Sequence, residues 1–205
     1  IVEVTRGGIA ESMHHGAVAV VDAVGRLVAW AGDPEASTFL RSSAKPFQAL
    51  PLVETGAVEA LAIGPRELAV ICASHSGTDE HVRVVRGLQE RMGITESDLL
   101  CGTHTPYDSE TARRLRAQGV EPTPNRHNCS GKHTGMLAQA RHRGEPLEGY
   151  ADSSHPVQQR ILQAFAEMCG IGVSDVHQAV DGCSVPTFAV PLRAAALAYA
   201  RLAEP

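Results

Sequence analysis

Gly16-Ala17-Val18-Ala19-Val20-Val21, then Asp22-Ala23-Val24-Gly25, then Arg26-Leu27-Val28-Ala29-Trp30 follow one another near the start of a 205-residue chain. Apolar, β-branched runs on either side of a Gly-bearing turn predict an antiparallel hairpin. The first 30 residues read as strand, and from Ser42 onward the pattern turns helical. Pro65-Arg66-Glu67 opens a helix through Cys72, with Pro at a tolerated first-turn position. Thr78 caps a helix over Asp79–Met92 that Gly93 stops. Thr95-Glu96-Ser97-Asp98 marks a short helix start. Further helices are predicted over Ser109–Gln118, Ser130–Arg141, Ser154–Cys169 and Pro191–Ala203. Val176–Val180 is a short strand candidate. The class this implies is α+β, an antiparallel sheet with a helical region.

A two-stranded hairpin is marginal by itself. With a single further strand candidate in view, the rest of the sheet is expected beyond Pro205. Residues 1–205 are therefore read as the N-terminal portion of one domain, with sheet and C-terminal part completed by later residues.

Composition narrows the function classes. Net charge is −5, from 18 basic and 23 acidic residues, which leaves no basic footprint for nucleic acid. Aromatic residues make up 4%, too few for a base-stacking platform, so an aliphatic core is expected. No apolar run approaches the ~18–20 residues of a membrane span. Ile1–Arg6 lacks the basic and apolar regions of a signal peptide. Five cysteines, an odd number, argue against a disulfide framework and for a reducing, cytoplasmic setting. The 18 basic residues divide into 16 Arg and two Lys, Lys45 and Lys132.

Four segments can carry chemistry. In Arg41-Ser42-Ser43-Ala44-Lys45-Pro46, Ser42 and Lys45 are three apart and share a helical face at ~5–6 Å between Cβ atoms. A neutral lysine can activate a serine hydroxyl, and burial can supply the neutral form; arginine cannot do so. A serine N-cap beside a solvated lysine would leave the same letters, and Ser43 competes for the nucleophile's role. In Cys72-Ala73-Ser74-His75-Ser76-Gly77, two hydroxyls and an imidazole can feed a proton relay or cap backbone groups. In His127-Asn128-Cys129-Ser130-Gly131-Lys132-His133, Cys129 and His133 have the i,i+4 spacing of a shared metal, and Cys129 also shares a face with Lys132. The full phosphate-loop pattern is missing there, since Arg126 replaces its first Gly and His133 follows the Lys. In Asp181-Gly182-Cys183-Ser184, a Gly-bearing turn after a strand presents a carboxylate and a thiol, and Cys183 can complete a metal site with Cys129. A plain strand-end turn fits it equally.

Taken in order, these four segments resemble the L-asparaginase II family, the class 3 or rhizobial-type asparaginases. The resemblance runs from about Val2 onward. It implies an amidohydrolase of the serine β-lactamase/glutaminase-like fold that converts L-asparagine to L-aspartate and ammonia. It implies Ser42 as nucleophile, Lys45 as its partner and Ser74 as the second serine of a tandem arrangement. Arg41, His133 and Asp181 would contact substrate. Cys129, Lys132 and Cys183 would bind zinc, which tunes affinity or geometry without activating the attacking water. Spacing alone favours His133 as third ligand; the resemblance puts Lys132 there. It further implies a homodimer, and chains that continue past residue 205 to a lysine partnering Ser74. Two other readings use the same letters: an S-x-x-K serine acyltransferase that meets β-lactams, and a non-catalytic, metal-stabilised binding domain.

Overall fold

The computed structural model describes residues 2–204. The chain opens with two hairpins. β1 (Val2–Arg6) pairs antiparallel with β2 (Ile9–His14) across Gly7-Gly8. β3 (Val18–Val21) pairs with β4 (Leu27–Ala31) in the register Val18↔Ala31. The expected turn closes this second hairpin: the Gly25 amide donates to the Asp22 carbonyl at 2.9 Å, and the Arg26 amide to Asp22 Oδ1 at 2.8 Å.

A third sheet has the order β5-β7-β6, from β5 (Ser37–Phe39), β6 (His177–Val180) and β7 (Pro186–Pro191). All its pairings are antiparallel. The short strand expected over Val176–Val180 is β6, and it pairs with β7, a strand the sequence reading did not include. β7 escaped notice because Pro186 and Pro191 bracket it, and proline argues against a central strand. Here both prolines stand at the strand ends, and the residues between them are buried. The α+β class stands, with the strands divided among three small sheets.

The helices are α1 (Lys45–Glu54), α2 (Ala57–Ala60), α3 (Pro65–Ile71), α4 (Asp79–Met92), α5 (Ser109–Ala117), α6 (Ser130–Arg143), α7 (Pro156–Cys169) and α8 (Leu192–Ala203). α4 follows its sequence signals: the Thr78 hydroxyl accepts from the His81 amide at 3.4 Å, and Gly93 ends the helix at φ 61°. Among the described residues no helix is long and apolar enough to cross a membrane.

α6 is the axis of the molecule. Every residue from Ser130 to Ala140 is buried, although the stretch includes Lys132, His133, Thr134 and Gln139. α1, α3, α4 and α7 pack against it, and α8 packs against α7 and β3. The core is mainly aliphatic, but its aromatics are gathered rather than spread. Phe165 meets Phe47 edge-on at 5.7 Å and stacks on Phe188 at 4.9 Å, joining α1, α7 and β7. Such pairs add about 0.5–1.5 kcal/mol beyond their buried area.

α3 and α6 approach so closely that side chains are excluded between them. A Cβ on Gly131 would stand 2.3 Å from the Val70 carbonyl oxygen, and one on Gly135 would stand 2.6 Å from Ile71 Cγ2. Backbone cannot yield as a side chain can. Gly131→Ala is therefore expected to destabilise the chain by about 3 kcal/mol or more, and Gly135→Ala by about 1–3 kcal/mol. Urea unfolding midpoints test this order; equal midpoints for both variants and wild type would show that the helices are not in contact.

Candidate active site

Four loops converge on one cavity of about 670 Å³ bounded by Arg41, Ser42, His104, Tyr107, Cys129 and Asp181. They are the turn before α1, the loop leading to α5, the residues entering α6, and the turn between β6 and β7.

β5 delivers the chain to a 3₁₀ turn, Arg41–Ala44, and Lys45 begins α1 directly after it. Ser42 thus lies one turn before the helix proper, exposed on the cavity. Ser43 is otherwise engaged: its hydroxyl donates to the Leu40 carbonyl at 2.5 Å. Arg41 holds a left-handed φ of 50°, a region costly to a residue with a Cβ. Its guanidinium meets Asp181 at 2.8 Å across the cavity.

Lys45 runs beneath this surface and is 1% exposed. Its amine donates to Ser74 Oγ at 2.7 Å, to the Ala73 carbonyl at 2.9 Å and to the Asn128 carbonyl at 3.3 Å. Burial lowers its pKa, with Cys129 opposing the shift. Lys45 was expected to partner Ser42; the hydroxyl it bonds is that of Ser74, brought to it by the loop after α3.

His75 does not join this pair. The Gly77 amide donates to its Nδ1 at 3.1 Å, so Nε2 carries the proton and faces Ser130 Oγ at 2.8 Å. Ser130 passes its own proton to the Asn125 carbonyl at 2.9 Å. Of the two readings of this segment, a proton relay or capping of backbone groups, these hydrogen bonds favour the second: they run inward to a backbone carbonyl and tie the loop to the start of α6. Burial pushes the His75 pKa down to about 3, with His81, stacked on it at 5.1 Å, adding to the shift.

The third and fourth segments meet across α6. Lys132 Nζ donates to Cys183 Sγ at 3.1 Å, and all five cysteines are free thiols. A hydrogen bond from the Cys129 thiol to Cys183 favours the thiolate at Cys183 and opposes ionisation of Cys129. His133 is fully buried, and burial keeps its pKa down. Its Nδ1 lies 2.6 Å from the Tyr150 hydroxyl. Among the described residues no three of His, Cys, Asp and Glu gather as a metal cluster. The expected zinc set contributes only Cys129 and Cys183 to such a count, with Lys132 as its third member.

Sequence reasoning missed one wall of the cavity. Tyr107 stacks on His104 at 4.8 Å, and His104 meets His127 edge-on at 4.3 Å. The Asn128 amide donates to His104 Nε2 at 2.9 Å, which leaves Nδ1–H to donate to the Thr105 carbonyl at 2.6 Å. A His and a Tyr three apart in a loop holding Gly102 and Pro106 were the available signal. Both lysines, by contrast, lie in the site and are buried, whereas no arginine among the described residues is buried.

Comparison with family sequence models gives a match to L-asparaginase II over residues 2–205. No curated protein matches the chain.

The depressed His75 pKa sets an acid limit. An imidazole that titrates at about 6.5 when unfolded and about 3 when folded gives the unfolded chain more bound protons between those values. Stability is thus present above about pH 6.5 and falls as pH drops toward 3. Urea midpoints measured from pH 7 to pH 4 are expected to decline, and His75→Gln to flatten that decline. An equal slope in the variant would assign the acid sensitivity elsewhere.

Proposed function

The chain belongs to the L-asparaginase II family, and on that premise we propose that it hydrolyses the side-chain amide of L-asparagine, releasing L-aspartate and ammonia, by acyl transfer through a serine. The observation that carries this reading is Lys45, buried, lowered in pKa and seated on a serine hydroxyl. An amine losing its charge to burial is a base within reach of an alcohol, the pairing a hydroxyl needs to become a nucleophile.

Ser42 is the proposed nucleophile, since it opens on the cavity and, among the described residues, no side chain engages its hydroxyl. Lys45 accepts a proton through the cluster it forms with Ser74. When the amine is neutral, two of its hydrogens serve the Ala73 and Asn128 carbonyls, and its lone pair is left for the serine side. Ser42 attacks the amide carbon, backbone N–H groups at the turn stabilise the oxyanion, ammonia leaves, and water cleaves the resulting ester.

Substrate orientation follows from Arg41 and Asp181. Without ligand they satisfy each other; Arg41 is 65% exposed but Asp181 only 12%, so Asp181 can release Arg41 cheaply only where another cation takes its place. An amino acid brings an α-carboxylate for Arg41 and an α-ammonium for Asp181, replacing one ion pair by two. His133 is the third proposed substrate contact.

Cys129, Lys132 and Cys183 are proposed to hold zinc. The donors suit it: two sulfurs joined by a hydrogen bond, and an amine seated on one of them. Bound there, the ion would supply charge and fixed geometry beside the cavity. Its uptake requires the thiols and Lys132 to release protons, so occupancy falls as pH is lowered.

Ser42→Ala is expected to remove nearly all ammonia release from asparagine. Lys45→Met is expected to lower kcat/KM by about 10²–10⁴-fold, and Lys45→Arg does not restore it, because arginine keeps its proton. Undiminished turnover in Ser42→Ala would exclude that serine. Metal analysis of protein purified without a metal-affinity tag is expected to find zinc in wild type and a loss of it in Cys129→Ser; equal zinc in both would remove these ligands from consideration.

A further inference from the structure

His133 sits on the face of α6 that looks toward Cys183, and the group holding it there is seventeen residues later in a loop. Tyr150 is fully buried, and its ring meets the imidazole edge-on at 5.6 Å. Its hydroxyl oxygen accepts from the Leu100 amide at 2.9 Å and stands 2.6 Å from His133 Nδ1. Its backbone is fixed as well, since Gln158 Nε2 donates to the Tyr150 carbonyl at 2.8 Å.

Counting donors decides which nitrogen of His133 carries the proton. Were it Nδ1, the Tyr150 oxygen would accept twice and its O–H, buried, would have nothing to donate to. With the O–H given to Nδ1, tyrosine is satisfied on both sides. The imidazole proton is then on Nε2. That atom reaches no partner at hydrogen-bond geometry, and Cys183 lies beside it. A buried N–H without a partner, beside a residue that lines the cavity, is a donor held ready for an acceptor.

We propose that Tyr150 is a positioning residue: it fixes His133 as the Nε2–H tautomer and so presents a neutral N–H donor to the Cys183 side of the site, where an acceptor atom of the substrate or of a bound species receives it. The inference rests on the proposed amidase reading for what that acceptor is, but not for the tautomer. Nothing in the sequence pairs Tyr150 with His133; the contact exists because the loop after α6 returns over the helix's buried face.

The test uses the full chain labelled with ¹⁵N-histidine and read by long-range ¹H–¹⁵N correlation, with His133 assigned by the signal that disappears in His133→Gln. Wild type is expected to show a protonated Nε2 and a bare Nδ1 at His133. In Tyr150→Phe the signal is expected to become a mixture of tautomers. For asparagine, kcat is expected to fall about tenfold or more while KM changes far less, the range seen when the group orienting a site histidine is removed. A protonated Nδ1 in wild type, or a single Nε2–H form with unchanged kcat in Tyr150→Phe, overturns the proposal. The wild-type spectrum needs neither the variant's folding nor turnover. A chain that shows the Nε2–H form yet releases no ammonia overturns the amidase reading and upholds the hold of Tyr150 on His133.

Discussion

The contact between α3 and α6 through Gly131 and Gly135 governs the rest of the structure. Two backbones can lie this close only where no Cβ intervenes. That closeness brings the loop after α3, with Ser74 and His75, onto the beginning of α6, where Asn128 and Ser130 wait. It also buries α6 on all sides, so Lys132 and His133 point into protein rather than water. A larger residue at either glycine would move the helices apart and, with them, the carbonyls of Ala73 and Asn128 that anchor the Lys45 amine.

Burial of this kind is expensive for polar groups unless each finds a partner. α6 solves the problem residue by residue: Ser130 with Asn125 and His75, Thr134 with Gln89, Lys132 with Cys183, His133 with Tyr150. The same enclosure alters acid–base behaviour. It lowers the affinity of Lys45, His75 and His133 for protons, which turns two imidazoles into neutral structural donors and one ammonium into a candidate base. Arginine would bring to these positions a charge it cannot release. The chain's arginines accordingly stay on the surface, many of them paired with carboxylates, and its two lysines do not.

Local signals made some of this legible. The Thr78 cap and the Gly93 stop bound α4 where the structure bounds it, and the strand–turn–strand reading of residues 16–30 matches β3 and β4. Ser42, Lys45, Cys129 and Asp181 could be picked out because their residue types are chemically loaded. What stayed hidden depends on partners far along the chain. β7 looks like a loop until β5 and β6 flank it, since its two prolines suggest the opposite. Lys45 is three residues from Ser42, and its backbone amide closes the 3₁₀ turn on the Ser42 carbonyl, but its amine reaches Ser74, which only the loop after α3 brings near. Tyr150 and the His104–Tyr107 wall carry no periodicity at all; they matter only once loops fold over α6.

The pairing of Phe39 with Ala189 and of Thr38 with Val190 has a consequence in time. β5 leads straight into Arg41 and Ser42, while β7 follows directly on Asp181 and Cys183, so this pairing is what brings the two halves of the cavity together. The strands that form it lie about 150 residues apart, and synthesis proceeds from the N-terminus at about 5–20 residues per second. For many seconds after Ser42 and Lys45 emerge from the ribosome, nothing can close the sheet beside them. Until β7 arrives, the nascent chain carries an unpaired β5 edge and a half-built pocket, and local helix contacts alone must keep that edge from pairing with a neighbour.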